Sequence, residues 1–324
     1  MNDRPHVVIL GAGATIATIP NGDKNGKQCS VMDGFLDKLG LDNLKRRILE
    51  KVPKAPIDNI ETLYSYLSKH SQFRDLKLEI EESIYSVMSN FIIPDNMTIY
   101  DWLILSLREK DCIATFNWDP LLVQAYNRSL KYTKNLPRLL FLHGNVSISY
   151  CEKCGRYSPT LLERCPQCSH KMKVSPLLYP IENKNYSDNL FIEGQWDTLI
   201  SYLEKAGMLT VFGYSGPKSD AKALELMHNA FDNYSQRINQ LEIIDVKKES
   251  ELKNVWKEFA KPTNYHYHIC SSFFESSIAE YPRRSIEGYD NRYIKGCWNR
   301  STQQLIENAE RDNIEMLIRI ISKE

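Results

Sequence analysis

Two Cys-x-x-Cys pairs, Cys151/Cys154 and Cys165/Cys168, are the residues of this chain whose chemistry is most narrowly fixed. Two short knuckles bring four thiolates together, and four thiolates suit a tetrahedral zinc ion. Such a site is closed, with no open position for a substrate, so the expected role of the metal is structural. Neither pair opens a helix after a strand, which disfavours a thioredoxin-like redox site. His170 could replace one cysteine, but the paired spacing makes it a bystander.

Upstream of the cysteines two short apolar runs end in polar residues. The run at 112–116 ends in Asn117-Trp118-Asp119-Pro120, and the run at 139–142 ends in His143-Gly144. Ligands of open α/β sheets bind beyond the carboxyl ends of strands, where both Asn117 and His143 would stand. A histidine there can act as a general acid or base near neutral pH. Each residue also has an ordinary reading. Asp119 followed by Pro120 is a good helix N-cap with proline at the first helical position, and Asn117 suits a turn. A third run, His6-Val7-Val8-Ile9-Leu10, ends in Gly11-Ala12-Gly13-Ala14-Thr15. Glycines at that place let a backbone approach a pyrophosphate, with the following amides pointing at it. The full dinucleotide fingerprint needs a third glycine where this chain has Ile16, which disfavours an ordinary hydride-transfer dehydrogenase.

A glycine turn, an asparagine and a histidine at three successive strand ends converge on one crevice only if the strands are parallel neighbours. Further strand-like runs at 209–212, 241–244 and 265–270 alternate with helical patterns, which argues for a parallel sheet with both faces covered. Leu76, Ile80, Ile84, Val87, Met88 and Phe91 recur at helical intervals, and Asp58 with Glu61 has capping-box spacing. The fold class expected is α/β, a Rossmann-like parallel sheet of about six strands with a helical insertion and a small zinc-ribbon module. The sheet domain would take residues 1–31, 111–150 and 174–275, the helical insertion 32–110, the ribbon 151–173, and a helical tail 276–324. A tail helix at about 302–321 would carry Ile314, Leu317, Ile318 and Ile321 on one face.

The 324 residues allow one large domain with one or two modules, and 42% hydrophobic residues allow a sizeable core. Forty-one basic and 41 acidic side chains cancel, so no bulk attraction to nucleic acid or an acidic membrane is expected. The first residues lack a signal-peptide pattern and no apolar stretch has membrane-spanning length, so a cytoplasmic location is expected. There disulfides are rare, which favours the metal reading of the paired cysteines. Cys112 and Cys270 lie in apolar runs and read as core, while Cys29 and Cys297 are scattered.

Taken in order, Gly11-Ala12-Gly13-Ala14-Thr15, Thr115-Phe116-Asn117-Trp118-Asp119, His143-Gly144, the four cysteines and Gly213-Tyr214-Ser215 resemble the sirtuin superfamily over roughly residues 6 to 245. The resemblance implies NAD+ binding at a Rossmann-type sheet that carries a helical and a zinc module. It departs from deacylating sirtuins in three places, one being Phe116-Asn117-Trp118-Asp119 where they carry Gln-Asn-Ile-Asp. Ile19-Pro20-Asn21-Gly22-Asp23-Lys24 stands where they carry a Gly-Ile-Pro-Asp-Phe-Arg type segment. Leu178-Tyr179-Pro180-Ile181-Glu182-Asn183-Lys184 stands where they carry a Phe-Gly-Glu stretch that clamps the acyl-lysine peptide. The cofactor half of the pattern is present and the peptide half is not, as in the bacterial sirtuin-like NADases of antiphage defence.

What this resemblance implies is cleavage of the nicotinamide–ribose bond by water. The amides of Gly11, Ala12, Gly13, Ala14 and Thr15 would hold the pyrophosphate, with Asp23 counted among the cofactor-binding positions. Asn117 would orient the ribose and the attacking water, and His143 would remove a proton. Asp119 would assist by hydrogen bonding unless it is only a helix cap. Gly213, Tyr214 and Ser215 would lie across the crevice, with Asp245 near the adenosine. Such effectors respond to a trigger, so a separately encoded activator, self-association or both is expected, with the apolar face of the tail as a candidate contact. The competing readings are an NAD-dependent lysine deacylase and a sensor that binds NAD+ or ADP-ribose without turnover.

Overall fold

The computed structural model describes residues 4–181, 184, 186–232, 240–261, 266–294 and 314–322. Its strands, in chain order, are β1 (His6–Leu10), β2 (Cys112–Thr115), β3 (Arg138–Phe141), β4 (Ser149–Tyr150), β5 (Tyr157–Ser158), β6 (Lys173–Val174), β7 (Met208–Phe212), β8 (Gln240–Ile244) and β9 (Tyr267–Cys270). Six of them form one sheet in the order β3-β2-β1-β7-β8-β9. Every neighbouring pair in that sheet is parallel. All residues of β1, β2, β7 and β8 are buried, as expected of strands with helices on both faces. Tyr265, read as part of the last strand, lies outside the described residues.

The helix α1 (Ala12–Thr18) follows β1 directly. Between it and β2 come α2 (Phe35–Lys38), α3 (Asp42–Lys51), α4 (Ile60–Ser68), α5 (Arg74–Ser89) and α6 (Ile99–Leu105). On α5, Leu76, Ile80, Ile84 and Met88 form the buried stripe that their four-residue spacing dictates. The cap of α4 is Asn59 rather than Asp58. The Asn59 side-chain oxygen accepts from the amides of Glu61 and Thr62, while its amide group donates to Asp33. An Asn one residue later can satisfy both orphan amides and a carboxylate at once. The helix α7 (Leu121–Ser129) joins β2 to β3, α8 (Leu190–Leu203) precedes β7, and α9 (Ala221–Asp232) and α10 (Glu249–Ala260) follow β7 and β8. The short helices α11 (Ser277–Glu280) and α12 (Ser285–Tyr289) follow β9.

Residues 302–313 of the expected tail helix lie outside the described set, and a helix is present at Ile314–Ile321. It turns Leu317 and Ile321 onto the chain's own core, so this face already has a partner within the chain. Among the described residues no helix is long and apolar enough to cross a membrane.

A buried polar chain links β1, β7, β8 and β9 to α11 and α12. His6 meets Ser285 through Nδ1 and Thr210 through Nε2, each at 2.7 Å. Thr210 donates to Glu242, which also receives the Ser277 amide and pairs with His268 Nδ1 at 2.7 Å. Burial pushes His6 down to about 4. Burial works to raise Glu242, yet the His268 hydrogen bond, together with the Ser277 amide, holds it below the usual carboxylate range. The same hydrogen bond raises His268.

Candidate active site

Counted along the chain, the sheet runs three strands outward from β1 in one direction and three outward from β7 in the other, so the order reverses between β1 and β7. A crevice opens beyond the carboxyl ends of parallel strands at such a switch point. A cavity of about 680 Å³ lies there, large enough for a dinucleotide-sized ligand.

The glycine turn is built for packing against the opposite strand end. Gly11 N–H donates to the Phe212 carbonyl, Gly13 N–H to the Gly213 carbonyl and Ala14 N–H to the Gly11 carbonyl. A Cβ on Gly11 would stand 2.5 Å from the Gly213 oxygen, and one on Gly13 would stand 2.7 Å from the Gly213 Cα. Gly213 itself has φ +60°, and its Cβ would meet the Ala14 nitrogen at 2.3 Å. The glycines are thus required because two backbone turns touch at the switch point. This changes the expected role of the turn: the Gly11, Gly13 and Ala14 amides are already committed to carbonyl oxygens.

Asn117 follows β2, and its side chain is fixed by three acceptors. Nδ2 donates to the Gly11 carbonyl at 2.8 Å and lies 3.0 Å from Thr15 Oγ1 and 3.3 Å from the Tyr100 hydroxyl. Those partners identify which end of the amide is nitrogen. Oδ1 makes no hydrogen bond to a described residue and is left as an acceptor beside the cavity that Asn117 lines. Thr15 gives its own proton to Asp119 at 2.9 Å, so the Tyr100 hydroxyl, 2.8 Å away, donates to Thr15. Asp119 uses its second oxygen on the Leu121 amide at 3.1 Å, but α7 begins at Leu121 with Pro120 at its N-cap, so Asp119 stands one residue before the cap position expected for it. Burial raises the Asp119 carboxyl, and the Thr15 and Leu121 hydrogen bonds oppose that rise. Asp119 is thus joined to Asn117 through Thr15.

His143 follows β3, 5% exposed, with Phe116 edge-on at 4.7 Å and Tyr186 stacked at 6.1 Å. Its Nε2 is buried, has no hydrogen-bond partner among the described residues, and lies 3.8 Å from Asp220 Oδ1. Burial pushes His143 down to about 3, with Asp220 pulling up and Lys184 pushing down. At that value the ring is neutral near pH 7, so the 3.8 Å contact is not an ion pair. Asp220 instead pairs with Lys184 through Oδ1 and accepts from the Tyr214 hydroxyl through Oδ2 at 2.9 Å.

Buried His6 and His143 both have folded-state values below the ordinary 6.5. The unfolded chain then takes up protons first as pH falls. Stability is expected intact above about pH 6.5 and to decline toward pH 4 by about 1.4 kcal/mol per pH unit for each histidine. The raised His268 contributes with the opposite sign and only above 6.5, where its pairing is lost as pH rises. Denaturant titrations at pH 7.5, 6 and 5 measure the slope; a flat profile between 6.5 and 4 would contradict two neutral buried imidazoles.

Of the residues singled out from sequence, Gly11, Ala12, Gly13, Asn117, Asp119, His143, Gly213, Tyr214, Ser215 and Asp245 all line this cavity. Ala14, Thr15 and Asp23 are not among the lining residues. The Asp23 carboxylate accepts instead from the amides of Asn25, Lys27 and Ile92, knotting the loop after α1 to the end of α5. Lys184, Asp220 and Tyr100 were not legible as site residues. Lys184 falls within the segment already noted as departing from the resemblance, but no spacing or motif marks any of the three.

The cysteine module lies between β3 and α8 in the chain. The Sγ atoms of Cys151, Cys154, Cys165 and Cys168 all lie within 4.8 Å of one another. Separations of 3.5 Å for Cys151–Cys168 and Cys154–Cys165 and 3.8 Å for Cys154–Cys168 are too long for disulfides. They are close to the spacing of about 3.8 Å that four ligands at zinc–sulfur distance impose on one another. The knuckles are alike: Gly155 N–H returns to the Cys151 carbonyl and Ser169 N–H to the Cys165 carbonyl, and both Gly155 and Ser169 have positive φ. His170 is exposed and joins only through its backbone. The chain leaving the module seats on the histidine turn, with Leu178 N–H on the His143 carbonyl and the Asn145 amide on Ser175 Oγ. Gly144, at φ +79°, has no room for a Cβ, which would stand 1.7 Å from the Pro176 oxygen.

No protein-family model matches the chain, and no curated protein matches it. Among solved structures it is similar to a Sir2 homologue mutant in complex with ADP-ribose, at 13% identity over 88% of this chain and 93% of that one, with a TM-score of 0.39. It is similar to Sir2 bound to an acetylated peptide at 16% identity, over 88% and 93% of the two chains, with a TM-score of 0.37. A third, Sir2Tm bound to a propionylated peptide, has 16% identity over the same shares and a TM-score of 0.36.

Proposed function

We propose that this chain hydrolyses NAD+ at the nicotinamide–ribose bond, giving nicotinamide and ADP-ribose, with a structural zinc in the four-cysteine module. The observation that carries the reading is the convergence of Asn117 and His143 on one cavity at the switch point of the sheet. Nicotinamide leaves as a neutral ring, and the ribose passes through an oxocarbenium-like state that water then captures. Asn117 Oδ1 accepts a hydrogen bond from the water or a ribose hydroxyl, and neutral His143 takes the proton released. Hydrolysis is favoured over transfer to an acyl-lysine because the segment from Leu178 to Lys184 lacks the Phe-Gly-Glu stretch with which deacylases clamp the peptide. In a cell such an activity depletes NAD+, the output of an antiphage effector held in check until a partner or self-association releases it.

The test is nicotinamide release from NAD+ with and without an acetylated peptide. Release that needs no peptide and yields ADP-ribose is the expected result. Release only with peptide, accompanied by acyl transfer, would replace hydrolysis with deacylation. Binding of NAD+ without turnover, including in the presence of co-purified partners, would leave a sensor.

A further inference from the structure

Beside His143 lies a buried group of charges that the hydrolytic step as described does not use. Lys184 and Asp220 are each 4% exposed at the side chain and pair with one another. The same carboxylate oxygen, Asp220 Oδ1, is the atom that faces His143 Nε2 at 3.8 Å. That imidazole nitrogen is buried and has no hydrogen-bond partner among the described residues, an arrangement that costs free energy in this state. The other described residues in ring contact with this group, Phe116 and Tyr186, carry no charge. Phe116 is apolar, and burial holds the hydroxyls of Tyr186 and Tyr214 well above their ordinary range.

We infer that Asp220 is the positioning residue of His143 and that Lys184 competes with the imidazole for the same carboxylate oxygen. The inference rests on the hydrolase reading for its catalytic meaning. A proton on Nε2 points toward Asp220 and leaves Nδ1 as the basic nitrogen. When Nδ1 takes a proton from the attacking water, the ring becomes a cation whose Nε2–H needs an anionic acceptor. A movement of about 1 Å brings that N–H into hydrogen-bond range of Oδ1. Burial keeps the imidazole neutral, and while Lys184 holds the oxygen its charge adds to that by opposing the cation. The pair Lys184–Asp220 thus sets how readily the base accepts its proton, and Tyr214 fixes the carboxylate through the other oxygen.

The experiment reads His143 directly, without substrate. In the full chain labelled with ¹³C-histidine, the His143 signal is assigned by its loss in His143→Gln and followed against pH. Lys184→Met is expected to raise its titration midpoint by one pH unit or more, because the opposing charge is gone and Asp220 remains. Adding Asp220→Asn in the double variant is expected to cancel that rise. A midpoint unchanged in Lys184→Met, or a rise that persists in the double variant, overturns the assignment. Circular dichroism confirms that each variant is folded; the double variant, which buries no unpaired charge, serves as the folded reference. With NAD+ as substrate, Asp220→Asn is expected to lower kcat about 10- to 100-fold with a smaller change in KM. A wild-type chain without NAD+ hydrolysis overturns the hydrolase reading alone, since the titration needs no turnover.

Discussion

Asn117→Ala is expected to lower kcat for NAD+ hydrolysis by about 10³-fold with KM within a few-fold of wild type. Removing one preorganised polar group from a transition state costs about 10²- to 10³-fold in the best-measured cases. Asn117 belongs at the upper end because its orientation is determined from three sides. Those bonds hold the side chain before substrate arrives, so Oδ1 needs no reorganisation as the water attacks. An interaction made mainly in the transition state appears in kcat rather than in KM. The fold should survive, because the truncation removes a donor and leaves Gly11 O, Thr15 and Tyr100 beside a cavity, at about 1–2 kcal/mol. Asn117→Asp is expected to be worse for folding, since a carboxylate would face the Gly11 carbonyl oxygen at 2.8 Å. Steady-state nicotinamide release paired with thermal melting separates the two effects. Retention of more than a tenth of wild-type kcat in Asn117→Ala would remove Asn117 from the mechanism.

Loss of the metal is expected to unfold residues 149–174 and to abolish hydrolysis. Metal analysis should find one zinc per chain, and Cys151→Ser or Cys165→Ser should find none. Both thiols are buried, 0% and 2% exposed, and among the described residues their apolar companions in that small cluster are Met172 and partly buried Leu162 and Cys168. So little core cannot hold the two-residue strands β4, β5 and β6 together. Binding of a structural zinc supplies on the order of 10 kcal/mol, which makes it the main source of order in such a module. The active site should follow, because the chain leaving the module carries Leu178 onto the His143 carbonyl and Ser175 onto the Asn145 amide. Chelation should therefore expose four thiols to a thiol reagent, open 151–173 to protease and quench nicotinamide release together. Full activity in a zinc-free protein would detach the module from the site.

Much of this arrangement is legible in the chain because it depends on local chemistry. The continuous apolar runs read as buried parallel strands, the four-residue spacing on α5 reads as a buried stripe, and the cysteine spacing reads as a metal cluster. The ordered motifs placed Asn117 and His143 at strand ends, where the structure has them. Less legible were features set by contacts distant in sequence. The glycines at 11 and 13 look like a pyrophosphate loop, yet their near neighbour is Gly213, some 200 residues away, whose carbonyl already takes the Gly13 amide. Asp23 looked available to a ligand and is spent on three backbone amides. The cap of α4 shifted from Asp58 to Asn59 because Asp33 offered the Asn59 amide a partner.

The sequence by itself determined the six strands of the large sheet, the helical periodicity, the thiolate cluster and the placing of Asn117 and His143 after strand ends, because each follows from residue type and short spacing. Only the tertiary structure decided what surrounds those residues. Which end of the Asn117 amide faces the cavity depends on Gly11, Thr15 and Tyr100, and whether His143 is charged depends on burial, Asp220 and Lys184. Those groups come from separate elements and meet only when the sheet closes. Protonation and orientation are properties of an environment, and an environment is assembled by the fold.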